Sequence, residues 1–466
     1  MQRPPHLKAA MTRPGQEGHT IPPSPTNRPP RVRVLGRLKP RGPLWRNGDF
    51  LRLWSAQTIS LLGSEISGLA LPFVAILTLQ ATTFEVAALA VVDRLPFLLF
   101  TLPAGVWVDR LRRRPILIAA DWARGAALVS IPVAYAAGVL TLSQLYIVGF
   151  LTGTLTVFFD VAYQSYLPSL VERDQLADGN AKLQTSSSAA SVIGPGLAGV
   201  LIGALKAPYA IAVDAASFVA SALFMSRMQR TETAPAATAS RGMRAEITDG
   251  LRYALRHPIM RPFMWFVATA NFFTTMIFSI LLVFAVRDLH LTAATVGVIF
   301  SLASLGSLAG ALLGGRISRA LGVGRAMILE AALLGTPWIL VPLASGSRAI
   351  PFLVISEMLF GFFAISVSVT GVSLLQAITP DRMLGRMNAS RRFFVWGVMP
   401  LGGLLGGALA TQIGLRPTLW IGALGATVAF LPLLLSPVRH VARHEDAEKL
   451  VAKINEAFLE SAAPTA

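Results

Sequence analysis

Beginning near Phe50, apolar stretches of about 20 residues recur twelve times along the chain, separated by short and mostly basic connections. A helix rises about 1.5 Å per residue, so each stretch is long enough to cross a hydrocarbon layer about 30 Å thick. They run over 50–78, 84–107, 115–137, 143–167, 184–205, 209–228, 262–286, 293–315, 325–345, 350–376, 392–412 and 417–436. Helices are the expected form, because backbone exposed to lipid must satisfy its own hydrogen bonds and barrel strands would alternate polar with apolar residues. A soluble helical core accounts neither for this length nor for this repetition. With 53% hydrophobic and only 14% charged residues, the chain departs from the roughly 25% charged share of soluble domains. The pattern predicts an all-α membrane protein with twelve transmembrane helices.

The ends read differently. Residues 1–48 set ten Lys/Arg against one acid, Glu17, among Pro, Gly and Thr, and no apolar period appears; a disordered basic tail is expected, with no cleaved leader. Residues 439–466 are expected to form a second tail. Of the 41 Lys+Arg, only Lys206, Arg287, Arg348 and Arg416 fall in the odd-numbered loops, and Arg94 and Arg124 within spans. The positive-inside rule therefore places both termini in the cytoplasm of a plasma-membrane protein. It also accounts for the net charge of +17 without nucleic acid, since no basic module interleaved with aromatics accompanies it.

The longest internal connection, 229–261, divides the spans into 49–228 and 262–438, six on each side. Its first part is an Ala/Thr linker; its second, from Arg244 through His257, suits either a helix lying on the membrane surface or a solvated linker helix. The two halves echo each other. Leu176-Ala-Asp-Gly-Asn-Ala181 opens the fifth span and Leu384-Gly-Arg-Met-Asn-Ala389 the eleventh; Gly105–Arg114 after span 2 is answered by Gly314–Arg325 after span 8. Duplicated six-helix units point to a transporter with a site near the midplane between the halves.

Two motifs carry a resemblance. Gly105-Val-Trp-Val-Asp109-Arg110-Leu-Arg112-Arg113-Arg114 resembles the loop 2-3 motif of the major facilitator superfamily, with Arg112 where that motif has Gly. Ala190-x-x-x-Gly194-Pro195-x-x-Ala198-Gly199 in span 5 resembles the superfamily's antiporter motif, with Ala at two of its Gly positions. Tyr166–Val171, Val213–Phe218 and Pro380–Asn388 add to the likeness, which covers nearly all of 50–440 and is strongest to the enterobactin-exporter-like and macrolide-efflux-like branch. The resemblance implies the major facilitator fold, two pseudo-symmetric six-helix bundles, and export of a small amphipathic molecule such as a drug or siderophore by proton antiport. It implies a latch in which Gly105 lets helices approach and Asp109, Arg110, Arg113 and Arg114 pair with neighbouring spans. A proton-coupled importer, or a membrane sensor that moves no solute, would share the composition.

Ionisable side chains inside spans cost several kcal/mol unless they face a cavity or a partner. Glu65, at the middle of span 1, and Asp93, in span 2, are the expected proton carriers, with Arg94 modulating Asp93; adjacent on a helix, Asp93 and Arg94 are expected to use partners on other helices. Asp121 and Arg124, spaced i, i+3, are expected to pair within span 3, and Asp160 to face the loop arginines; all three are assigned to the latch. Asp214, Glu330 and Glu357 are read as snorkelling or capping near span ends. Phe97, Phe100, Phe158, Phe159, Phe272, Phe273, Trp396 and Met399 are candidate cavity aromatics. Neither an enzyme nor a cofactor nor a metal is expected: the six His are dispersed, and Gly194-x-Gly196-x-x-Gly199 lacks the strands a dinucleotide fold requires. Partners are a small solute, protons and the bilayer, with a single chain sufficient.

Overall fold

The computed structural model describes residues 43–108, 110–229, 257, 259–379 and 381–440, without the side chains of 43, 102, 106, 377–378, 381–395 and 440. The expected linker helix, Asp109, residues 1–42 and residues 441–466 lie outside the described residues; the expected disordered tail is corrected at its end, where Pro43–Arg46 form a helical turn with Leu44 buried and Asn47 caps the first long helix. Those described are overwhelmingly helical and form no strand. Twelve long helices follow in order: α1 Gly48–Phe73, α2 Thr83–Val108, α3 Arg113–Ala136, α4 Leu142–Leu170, α5 Leu176–Leu205, α6 Ala207–Ser226, α7 Met260–Val283, α8 Ala293–Leu321, α9 Val323–Leu343, α10 Ala349–Ile378, α11 Asp381–Ile413 and α12 Leu415–Leu434. All except α2 and α11 meet a length-and-composition test for crossing a membrane among the described residues.

Local chemistry sets the helix ends. Asn47 caps α1 by accepting from Asp49 N and Phe50 N, both at 3.1 Å, and donates to the Leu170 carbonyl at 3.3 Å, tying the start of α1 to the end of α4. Thr141 and Thr292 cap α4 and α8 through the backbone N–H three residues on. Helices α5 and α11 start about two and three turns, respectively, before the apolar stretches that predicted them. Their polar first turns, such as Asp178 to Lys182, continue the helix past the hydrocarbon-length segment. Helix α9 is interrupted by a tight turn at Thr336–Ile339, where Pro337 lacks the N–H that a regular helix needs.

The duplication reaches the backbone. At the end of α1 the chain widens by one turn over Val74–Thr78, and at the end of α7 it does the same over Phe284–Asp288. Leu79 N donates to Val74 O and Ala81 N to Ala75 O; Leu289 N donates to Phe284 O and Leu291 N to Ala285 O. In each turn a non-glycine residue takes a positive φ, Gln80 at 52° and His290 at 54°. Packing repeats as well: α1 on α5 and α6, α2 on α4, and α3 on α4 and α6 are matched by α7 on α11 and α12, α8 on α10, and α9 on α10 and α12. The two bundles meet mainly through α2 with α11 and α5 with α8.

Glycines make these crossings close. A Cβ on Gly297 of α8 would overlap the Pro195 carbonyl of α5, and one on Gly199 would overlap the Ala293 carbonyl of α8; Gly407 of α11 meets Phe84 and Ala87 at the start of α2 in the same way. Small residues let backbones approach where the lipid supplies no hydrophobic drive for association. These contacts lie at the ends of the helices that carry the α1–α2 and α7–α8 turns. There Arg287 Nη2 also donates to the Ala81 carbonyl at 2.6 Å, joining the equivalent turns of the two halves.

Candidate substrate cavity and its polar surroundings

Between the bundles lies a cavity of about 430 Å³. Its N-terminal wall carries Glu65 of α1, Arg94 of α2, and Ser191 and Pro195 of α5; its C-terminal wall carries Phe278 of α7, Phe300, Ser304 and Ser307 of α8, and Glu357 and Phe360 of α10. Glu65 Oε1 accepts from Ser191 Oγ at 3.2 Å. Pro195 has no N–H to give the Ser191 carbonyl one turn back. Ser304 of the opposite bundle takes that place, its Oγ lying 2.7 Å from the Ser191 carbonyl and 3.1 Å from its own helix's Phe300 carbonyl. One residue on, Gly196 N donates to Ser301 Oγ at 2.8 Å. The proline of the span 5 motif thus exposes backbone polarity that the other half answers, within one hydrogen bond of the cavity carboxylate.

The remaining motif residues fit this interface. Gly194 faces Glu65 so closely that a Cβ would overlap the Glu65 side chain, and Ala190 and Ala198 are fully buried.

A second cavity, about 340 Å³, lies inside the N-terminal bundle and shares Gly68 and Arg94 with the first. Asp93, Arg124, Thr152, Thr156 and Asp214 give it a polar lining. Asp93 and Arg94 approach each other as well as other helices: Arg94 Nε lies 3.6 Å from Asp93 Oδ2, the long side chain bending back towards its neighbour on α2, and Arg94 shares the central cavity with Glu65 of α1. Beneath the cavity, Asp121 and Arg124 form a buried ion pair. Ser221 Oγ of α6 donates to Asp121 Oδ2 at 2.5 Å, and the guanidinium stacks on Phe159 and Phe218 at 4.3 and 4.1 Å. Arg124, within its span as expected, lines this cavity. Asp160 sits half-buried on α4.

The described part of the loop motif lies at the ends of α2, α3 and α6. Among the described residues nothing lies within 4 Å of a Cβ built on Gly105, so no close helix approach depends on it. Arg114 donates to the Met225 carbonyl at 3.3 Å and the Ser226 carbonyl at 2.7 Å, closing the C-terminus of α6. Unsatisfied carbonyls and the negative end of a helix attract a guanidinium as a carboxylate does. Arg113 begins α3, and Arg110 is exposed.

Three carboxylates assigned to span ends are buried. Asp214 accepts from Ser217 Oγ at 3.0 Å, Glu330 accepts from Ser366 Oγ at 2.5 Å, and Glu357 reaches the central cavity. The helices that carry them keep the predicted bounds to within about two residues, so the difference lies in what each acid faces, a neighbouring helix or the cavity, which the sequence does not reveal. The aromatics of the central cavity are Phe278, Phe300 and Phe360; of those expected, Phe97 lines the smaller cavity and stacks on Trp396 at 5.2 Å.

Two repeated six-helix bundles enclosing a polar cavity between them define a multi-pass membrane transporter rather than an enzyme. Residues 40–462 match the family described as transmembrane secretion effector, and the chain belongs to it, within the major facilitator superfamily. The chain is 25% identical to the multidrug efflux pump Tap of Mycolicibacterium fortuitum over 407 residues, 84% of this chain and 97% of that protein. It is 23% identical to the enterobactin exporter EntS of Salmonella choleraesuis (strain SC-B67) over 375 residues, 79% and 86% of the two chains. Its fold is that of a bacterial homologue of the iron transporter ferroportin in an inward-facing state, with a TM-score of 0.66 at 16% identity over 82% of this chain and 98% of that one.

Proposed function

We propose that this protein exports a small amphipathic molecule, a drug or a siderophore, across the plasma membrane by proton antiport and alternating access. The observation that carries the reading is the relay Glu65–Ser191–Ser304: a cavity carboxylate hydrogen-bonded to α5 at the residue whose carbonyl is held by the opposite bundle. When the α5–α8 contact separates, Ser191 loses its partner across the interface and Glu65 its fixed setting. A carboxylate binds or releases a proton according to such surroundings. The export direction is supported by similarity to Tap and EntS, both named for efflux or export.

In this reading both termini and the 229–261 connection are cytoplasmic, bundles 49–228 and 262–438 rock about the α2–α11 and α5–α8 contacts, and one chain suffices. The face joined by Arg287 and Ala81 is then the outer face, closed in this conformation. Asp93 is a second proton carrier, with Arg94 as its immediate counter-charge. Asp109, Arg110, Arg113 and Arg114 form the cytoplasmic latch, with Arg114 acting through α6.

The test uses protein in liposomes under an imposed pH gradient, following proton movement as amphipathic drugs and catecholate siderophores are added. Proton release triggered by a substrate and abolished in Glu65→Gln is expected. Release that persists in Glu65→Gln would move the carrier elsewhere, and solute uptake without counterflow of protons would overturn antiport.

A further inference from the structure

Glu357 stands apart from the other buried acids. Its side chain is 4% exposed, and Oε1 has no hydrogen-bond partner among the described residues, whereas Glu65, Asp121, Asp214 and Glu330 each accept from a serine. Behind it Leu281, Val296 and Leu353 form an apolar crevice. In front, it opens on the central cavity beside Phe300 and Phe360, the latter one turn away on the same face of α10. Phe360 is held by Trp338 at 4.8 Å and by Phe278 at 5.6 Å, the rings tilted against each other. An acid that shares a cavity lining with aromatic rings and has an oxygen without a partner lacks what burial demands, and the group that suits both a carboxylate and aromatic rings is a cation.

We propose that Glu357, with Phe278, Phe300 and Phe360, forms a subsite on the C-terminal wall of the central cavity for the cationic group of the substrate, a protonated amine or quaternary ammonium on an apolar body. The inference rests on the central cavity being the substrate site, but not on proton exchange. The charge balance agrees with it. Among the described residues Glu65 faces the cavity from the opposite wall, and the one guanidinium in the lining, Arg94, already lies between Asp93 and Glu65 as their counter-charge. An anionic substrate would meet two carboxylates. An amine would complete Glu357 while its apolar body lies along the rings, within a volume typical of small-molecule sites.

Two ions of nearly equal shape and opposite charge separate charge recognition from apolar binding. Full-length protein in detergent micelles is dialysed to equilibrium against tetraphenylphosphonium or tetraphenylborate, with protein-free micelles as baseline. The parent is expected to favour the phosphonium by about tenfold, the scale of one charge-assisted contact. Glu357→Gln, nearly the same shape, should erase that preference while leaving borate affinity within about twofold. Glu357→Asp should retain it, and Phe360→Leu should weaken phosphonium binding. A preference that survives Glu357→Gln, one abolished by Glu65→Gln alone, or a parent that favours neither ion or binds neither overturns the proposal. Binding needs no gradient, so a failure of proton antiport leaves this result readable, and antiport with no charge preference would sink the cationic subsite alone.

Discussion

Ser304 of α8 donates a hydrogen bond to the Ser191 carbonyl of α5, the acceptor that Pro195 leaves without a donor in its own helix. A bond that exists only while the two bundles are apposed stabilises the arrangement in which they touch, and one neutral hydrogen bond contributes about 1 kcal/mol. Ser304→Ala should therefore shift the population away from the closed contact by about fivefold. The chain contains no cysteine, so a single cysteine introduced at Ala294, against Gly199, reports without background. Its labelling should rise by about that factor in the Ser304→Ala protein; unchanged labelling would mean the bond does not bias the contact.

Gly194 is the floor on which Glu65 rests. Gly194→Ala forces the Glu65 side chain away from Ser191, and overpacking of this kind costs typically about 1–3 kcal/mol. Substrate-driven proton release should fall at least about tenfold in liposomes while the protein still purifies as a folded monodisperse species. Normal coupling in Gly194→Ala would show that the position of Glu65 is not critical.

The Asp121–Arg124 pair is buried and supported by Ser221, Phe159 and Phe218. Removing only the guanidinium, as in Arg124→Met, leaves an uncompensated carboxylate and should cost about 3–5 kcal/mol. Arg124→Met with Asp121→Asn should recover a large part of that loss. Unfolding in mixed micelles across the four-member cycle measures the coupling, and additive losses would show that the two side chains act independently.

His257 precedes α7, and its Nδ1 accepts from Ile259 N at 3.2 Å and Met260 N at 3.3 Å. Burial lowers its pKa from 6.5 to about 4, so the folded protein holds the neutral ring that can accept those bonds. Because the folded value lies below the unfolded one, this contribution is complete above about pH 6.5 and is lost as pH falls towards 4; it is on the order of 2 kcal/mol. His257→Asn keeps an acceptor and does not titrate. The stability difference between parent and His257→Asn should change across that window, and parallel curves would assign the acid sensitivity elsewhere.

Length, repetition and apolarity were enough to determine a helical membrane protein with an internal six-helix duplication, because a bilayer admits few backbone solutions and each apolar stretch announces its own span. The motif around Gly194 and Pro195 was legible for a similar reason: missing side-chain atoms and a missing N–H are local properties whose consequences any neighbouring helix must answer. Depth and facing were not legible. Glu357 and Asp214 read as span-end acids, since nothing in a single helix states where the hydrocarbon begins or which neighbour lies opposite. Arg114 also reaches the carbonyls at the end of α6, which are adjacent to it only in space. Only the tertiary structure decided which acids share a cavity, because sharing one depends on how separate helices are rotated about their axes, and that rotation is set by packing among residues far apart in the chain.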